Sequence, residues 1–382
     1  MSEVRADPIE ALRQRTSSKW VSYPADVLPL FVAEMDYPVA PAIAERLADL
    51  VSRSDLGYDA SRAQLGTAFA EFAERTWGWS LDASTVRTTV NVMAAILEIT
   101  RSAAGDGGKV LVNTPVYAPF FSVIREVGAE QVDVPLTSDV GGWSLDLDGI
   151  EAAYRDGVRV HLLCNPHNPV GLPHARAQLE RLAELAAQYD VLIVSDEIHG
   201  ALTHPGVEFV PFLTVSDAAR EVGVTVTSAT KAFNVPGATT AWWVPGSPAA
   251  EARYAPRLSE SLSHKSSQLG THAAIAALTG ARDWLDGVLE RIVAQRDLLE
   301  ELVAARLPGA VAHRATASYL AWIDFRPLGW GDDPQQRIVR EARVALSSGL
   351  VFGEAGRGFA RLNFACSPEV LEEAITRIAA LR

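Results

Sequence analysis

Cysteine is nearly absent: Cys164 and Cys366 are the only two in 382 residues. Two cysteines build no disulfide framework, and such a chain suits a reducing compartment. Long apolar runs are also missing, since no uninterrupted stretch approaches the roughly 18 residues of a membrane helix. The opening MSEVRADPIEALRQRTSSKW carries charges where a signal peptide has an apolar core. The expected setting is therefore a soluble protein in the cytoplasm. There is no excess of positive charge: 34 Lys and Arg against 47 Asp and Glu leave a net −13, so a non-specific hold on nucleic acid or anionic lipid would oppose the mean field. With 27 Gly, 21 Pro and 48% hydrophobic residues, collagen, disorder and low complexity are excluded. Dinucleotide-type Gly-x-Gly-x-x-Gly, Walker A, His-Glu-x-x-His and Gly-x-Ser-x-Gly motifs are all lacking, which removes the main rival α/β enzyme classes. A globular chain longer than one typical domain of roughly 100–200 residues remains, and it favours a small-molecule role without nucleic-acid or membrane partners.

Short runs rich in Val, Ile and Leu recur at 109–113, 160–164, 191–195 and 224–228, and they read as buried strands of a parallel sheet. Between them lie helical stretches such as 176–189, with Leu179, Leu182, Leu185 and Ala186 at helical spacing. This alternation predicts an α/β domain. Each strand ends in a polar or Pro-rich loop, and ligands of open α/β sheets gather outside such carboxyl ends. From about Ala281 the pattern becomes one long amphipathic helix, with Leu285, Val288, Ile292, Leu299 and Val303 on its stripe until Leu307-Pro-Gly. Strand-like 319–324 and 359–364 follow, separated by a helical segment at 334–346, and a helix over 368–381 closes the chain. The predicted organisation is an arm over 1–40 joining the small domain, a large domain over 41–280 and a smaller α+β domain over 281–382.

The strongest local signal is Ser228-Ala-Thr-Lys231-Ala-Phe-Asn-Val-Pro-Gly237, a lysine just past a buried strand and before a turn. A lysine amine can form a Schiff base with pyridoxal phosphate, an electron sink for carbanions at an amino acid's α-carbon. That cofactor needs a buried carboxylate to keep its pyridine nitrogen protonated, and Asp196 stands at the end of a strand. Its phosphate needs hydroxyls and free N–H groups. Ser228 and the turn Val90-Asn-Val-Met93, which opens a helix, supply them. Asn168 can donate to the phenolic oxygen, and Tyr117 offers an aromatic face. His161, Cys164 and His167 hint at zinc by spacing. Positions three apart in a strand point to opposite faces, however, and no fourth ligand pairs with them, so no metal is expected.

Four motifs stand in order: Asn165-Pro-His-Asn-Pro-Val-Gly171, Ser195-Asp-Glu-Ile-His-Gly200, Ser228-Ala-Thr-Lys231 and Arg361-Leu-Asn363. Through them the chain resembles the fold-type-I pyridoxal-phosphate enzymes of the class I/II aminotransferase superfamily. Within it, Arg15-Thr-Ser-Ser-Lys-Trp20, Leu28-Pro-Leu-Phe-Val-Ala-Glu-Met-Asp-Tyr-Pro38, Leu56-Gly-Tyr58 and 353–364 make it most similar to the cystathionine β-lyase-like C-S lyases, the MalY/PatB group. The resemblance covers nearly the whole chain. It implies a large domain with a mainly parallel central sheet flanked by helices, and pyridoxal 5'-phosphate as cofactor. It further implies Lys231 as Schiff-base lysine and general base, Asp196 at the pyridine nitrogen, Asn168 at the phenolic oxygen and Tyr117 on the ring. Ser228 with Asn91, Val92 and Met93 would hold the phosphate, and Arg361 would clamp the substrate α-carboxylate. His199 would either orient beside the cofactor or fill a polar pocket, and Tyr58 would reach the neighbouring subunit's site in a homodimer with shared active sites.

Three positions depart from the superfamily's pattern. His199 stands where aminotransferases often have Tyr, Thr239 where they often have a phosphate-binding Arg, and Asn91 where the lyase group usually has Gly. Asn at 91 is explained by its tolerance of left-handed backbone. The early motif reads Ala-Glu-Met-Asp instead of Ala-Asp-Met-Asp, which leaves the role of Glu34 open. Tyr37, Tyr319 and Trp322 lie in segments the resemblance places near the site. The leading expectation is β-elimination of L-cysteine S-conjugates such as L-cystathionine, giving thiol, pyruvate and ammonia. The alternatives are an aminotransferase acting on an L-amino acid and a regulatory binding protein of this fold.

Overall fold

In the computed structural model, which describes residues 4–139, 142–259, 262 and 266–381, a seven-stranded sheet forms the centre. Its strands are β1 (Arg87–Thr89), β2 (Lys109–Val112), β3 (Glu130–Asp133), β4 (Val158–Cys164), β5 (Leu192–Asp196), β6 (Gly223–Thr227) and β7 (Ala241–Pro245). They lie in the order β1-β7-β6-β5-β4-β2-β3. All pairs from β6 to β3 are parallel, and β7 runs antiparallel to both of its neighbours. Continuous apolar runs suit this sheet because it is covered on both faces. Alternation within each strand divides the core in two: Val110, Val112, Leu192 and Val194 pack with the helix Val92–Ala104, while Leu111, Leu163 and Ile193 pack on the other face beside Arg176–Gln188.

The second sheet draws on residues 311–363: Val311–His313, Leu320–Asp324, Phe359–Asn363 and Ser347–Ser348 pair antiparallel in that order. The 25-residue helix Arg282–Arg306 and the Ser367-capped helix Pro368–Ala379 pack together beside it. One expected element differs. Instead of one helix over 334–346, Pro334–Arg337 continues as a wider turn over Ile338–Ala342. Arg343 then turns left-handed at φ 56, and Val344–Ala345 pairs in parallel with Leu28–Pro29. The Asp26 carboxylate receives two hydrogen bonds from Arg343, at 2.7 and 2.9 Å. Pairing with a distant segment thus overrides the local helical pattern.

The segment 31–37, which follows Leu28–Pro29, is tied both to the second sheet and to the turn after β6. Its main chain is held by side chains: Asn363 Nδ2 donates to the carbonyls of Val32 and Glu34, each at 2.7 Å, and Asn234 Nδ2 to those of Met35 at 2.9 Å and Tyr37 at 3.1 Å. The buried Lys19–Asp36 pair, 2.6 Å apart, fastens the segment to the amino-terminal arm. Among the described residues no helix is long and apolar enough to cross a membrane.

Candidate active site

A cavity of about 520 Å³ opens at the carboxyl ends of β4, β5 and β6. Strand β5 delivers Asp196 as its last residue, and the turn after it brings His199 to the wall. The loop after β4 brings Asn168, which lies between the cis peptides Asn165–Pro166 and Asn168–Pro169. Past β6 come Ser228 and Lys231, and past β2 comes Tyr117. Asn91, Val92 and Met93 enter from the start of the helix Val92–Ala104, and Arg361 from the second sheet. Ten expected site residues therefore share one cavity. Tyr58 does not: it is 101% exposed and lines a separate cavity with Leu56, Asp59 and Gln268.

Burial sets the protonation states. It pushes the Asp196 carboxyl up to about 7, against the stabilising Ile198 N–H at 3.1 Å and the more distant Lys231. Burial also brings the Lys231 amine down to about 8, with the Arg361 guanidinium acting in the same direction. Its Nζ donates to the carbonyl of Ala33 at 2.8 Å. Desolvation, then Lys231 and Arg361, lower His199 to about 3, so its imidazole is neutral at pH 7. Arg361 is buried yet well supplied with partners. Nη1 donates to Asn168 Oδ1 at 3.0 Å, Nη2 to the Phe31 carbonyl at 3.0 Å and to Ser347 Oγ at 3.2 Å, and the Phe352 ring lies 4.9 Å below the guanidinium carbon. Trp322, expected near the site, lies outside the cavity and packs edge-on against that Phe352 ring. Tyr37 belongs to another cavity, and Tyr319 stands behind the wall, its hydroxyl donating to the Ala33 carbonyl at 3.1 Å and its ring centroid 6.4 Å from that of His199.

Several polar groups in this cavity fit a ligand with a phosphate at one end and a basic ring nitrogen at the other. Arg361 Nε, His199 Nδ1 and Thr240 Oγ1 are buried without a hydrogen-bond partner, and such orphans are costly unless something completes them. The N–H groups of Val92 and Met93 sit in the first turn of a 13-residue helix, where no intrahelical acceptor exists. Asn91 corrects the reading of its tolerance. Its backbone is extended at φ −161, and its side chain accepts the Ala94 N–H at 2.8 Å. Asparagine is there as a helix cap, with no left-handed turn to accommodate.

Sequence reasoning missed part of the wall: Phe31, Val32, Ala33, Thr230, Thr240 and Ser347. The motif beginning at Leu28 contained the first three and was the available signal. Glu34, whose role was open, accepts a 2.7 Å hydrogen bond from Ser17 Oγ within the arm. The two histidines with zinc-like spacing have structural partners. His161 lies between Tyr154 OH at 2.6 Å and Asn113 Oδ1 at 2.7 Å, and His167 Nε2 meets the Pro115 carbonyl at 2.8 Å.

Over residues 25–378 the chain matches the family model for aminotransferase class I and II. A Mycobacterium leprae protein provisionally named cystathionine beta-lyase is 38% identical, with 97% of this chain and 96% of that protein aligned. The Corynebacterium glutamicum cystathionine beta-lyase is 32% identical over 99% of this chain and 100% of its own. Among solved structures, a Corynebacterium diphtheriae protein provisionally described as a PLP-dependent beta-cystathionase superposes with a TM-score of 0.93 at 35% identity, covering 99% and 98% of the two chains.

Proposed function

The chain belongs to the class I and II aminotransferase family, and from that premise we propose that it is a cysteine-S-conjugate β-lyase. Its fold is that of the fold-type-I pyridoxal-phosphate enzymes, and its cofactor is pyridoxal 5'-phosphate. The observation that carries the reading is a lysine amine lowered to about 8 inside a cavity that also holds the Asp196 carboxyl and the Arg361 guanidinium.

When bound, pyridoxal phosphate supplies an electron sink for negative charge at the α-carbon of an attached amino acid. Lys231 would hold it covalently, while Ser228, Thr230 and the N–H groups of Val92 and Met93 would bind its phosphate, aided by the positive end of the helix. Thr239 lines the same wall without a guanidinium, so phosphate neutralisation leans on dipole and hydroxyls. Asp196, ready to ionise once a cation lies against it, would keep the pyridine nitrogen protonated. Asn168 accepts from Arg361 through Oδ1, which leaves Nδ2 to donate to the phenolic oxygen. Tyr117 would cover the ring.

Arg361 would bind the substrate α-carboxylate in a fork. Freed Lys231, partly neutral near pH 7, takes the α-proton. The C–S bond then breaks with its electron pair going to sulfur, the thiolate takes up that proton, and one water converts the three-carbon remainder to pyruvate and ammonia. Lys231→Ala is expected to abolish pyruvate release from L-cystathionine, measured with lactate dehydrogenase and NADH. Wild-type rates in that variant would overturn the proposal.

The proposed assembly is a homodimer with shared sites. Asp59 fixes the loop that carries Tyr58, accepting from Ser61 N at 2.9 Å, Ser266 Oγ at 2.7 Å and Thr271 Oγ1 at 3.0 Å. An aromatic side chain held wholly in solvent on an anchored loop, beside Leu56 at 56% exposure, suits insertion into a second copy. The proposed setting is the cytoplasm, in keeping with two buried cysteines that both remain free.

A further inference from the structure

The two cations of the cavity both hold the segment that covers it. Lys231 Nζ donates to the Ala33 carbonyl at 2.8 Å, and Arg361 Nη2 donates to the Phe31 carbonyl at 3.0 Å. Each of these carbonyls has a second donor. Tyr319 OH reaches Ala33 O at 3.1 Å, and Ser347 Oγ reaches Phe31 O at 2.8 Å. A carbonyl oxygen has two lone pairs, so both acceptors are fully used. The pairing is asymmetric in chemistry. Lys231 and Arg361 have work elsewhere, at a cofactor carbon and a substrate carboxylate, whereas Tyr319 is buried with its ring edge toward His199, 6.4 Å between centroids, and Ser347 is fixed in a strand beside Arg361.

We propose that Tyr319 and Ser347 are positioning residues that keep residues 31–37 over the site once Lys231 and Arg361 are drawn away to the cofactor and the substrate. The inference rests on the function proposed above. When the cofactor takes the Lys231 amine, Ala33 O loses one donor and keeps Tyr319. When a carboxylate takes Arg361, Phe31 O loses one donor and keeps Ser347. Without the standing donor the carbonyl would be bare under a closed segment, a state that favours local opening. Phe31, Val32 and Ala33 line the cavity, so a segment held closed through proton transfer would help keep water from the reacting atoms.

The test is hydrogen–deuterium exchange of residues 31–36, read by mass spectrometry in wild type, Tyr319→Phe and Ser347→Ala. Each protein is measured without cofactor, with pyridoxal phosphate, and with pyridoxal phosphate plus propionate, which carries the carboxylate without the amine. Wild type is expected to stay protected throughout. Tyr319→Phe should match wild type without cofactor and exchange at least about fivefold faster once loaded, the ratio a single hydrogen bond is worth. Ser347→Ala should match wild type until propionate is added and then open by a similar factor. Exchange in the loaded variants within twofold of wild type would overturn the inference, and so would a Tyr319→Phe protein already open without cofactor. Borohydride reduction separates the two levels: if wild-type Lys231 carries no cofactor mass, the proposed function falls and the inference with it. A cofactor-linked Lys231 with unchanged exchange removes the inference alone.

Discussion

Lys231 and Arg361 line one cavity, and the Arg361 guanidinium makes the Lys231 amine harder to charge. Burial is the larger cause of the lowered Lys231 amine and Arg361 the next, with Glu34 and Asp196 pulling the other way. Arg361→Leu removes a like charge, so in the cofactor-free protein the Lys231 amine should titrate higher. The pH dependence of Lys231 acetylation, followed by peptide mass spectrometry, checks the sign. An unchanged or lower titration point would contradict the electrostatics argued for the site. In the loaded enzyme the same change should lower kcat/KM for L-cystathionine by about a hundredfold or more, since breaking a buried charge contact costs roughly 3–5 kcal/mol. Asp196 is governed differently. Its carboxyl stands at about 7 because desolvation outweighs the Ile198 N–H and Lys231, and the pyridinium proposed to lie against it would return it to the ionised range.

The helix Val92–Ala104 depends on the residue that caps it, Asn91, more than its apolar stripe suggests. Asn91 accepts the Ala94 N–H at 2.8 Å, so Asn91→Ala should cost about 1 kcal/mol, whereas Asn91→Gly, which loses the same acceptor but is itself a tolerated cap residue, should cost only a few tenths. Urea unfolding of the three proteins checks this. An alanine variant as stable as wild type would mean the side-chain cap is not what stabilises the turn. The strands Val158–Cys164 and Leu192–Asp196 were legible within a residue or two, because a strand covered on both faces must be apolar throughout. So was the helix Arg282–Arg306, bounded by its Leu-Pro-Gly stop. Elements decided by distant partners were not. Val344–Ala345 is a strand only because Leu28–Pro29 lies beside it. The segment 31–37 has no periodicity to read, since its hydrogen bonds come from distant side chains, Lys231 and Arg361 among them, 198 and 330 residues away in sequence. Most of the expected side chains that line the cavity were legible because they stand at or just past a strand end, whereas Arg361 lies inside the strand Phe359–Asn363 and was legible from its motif. The hydroxyls of Thr230, Thr240 and Ser347 were not, since threonine and serine at such turns are common for local reasons.

At the scale of the whole molecule, a net charge of −13 encloses a cavity whose charged side chains are Lys231, Arg361 and Asp196. That balance suits a ligand bearing both phosphate and carboxylate, held inside an otherwise acidic particle. Sharing of sites between subunits is tested by mixing. Tyr58→Ala and Lys231→Ala are each expected to be strongly impaired, yet mixed dimers contain one site with both residues intact. Random reassociation should restore about a quarter of wild-type activity. Activity that stays at the sum of the two variants would contradict a shared site. The central claim, elimination at Lys231 in place of amino-group transfer, is tested most directly by incubating the loaded enzyme with L-cystathionine and no keto acid. Pyruvate, thiol and ammonia should accumulate in equal amounts over many turnovers. Turnover that stops after about one event per site, and resumes when a keto acid is added, would contradict the claim and assign a transaminase.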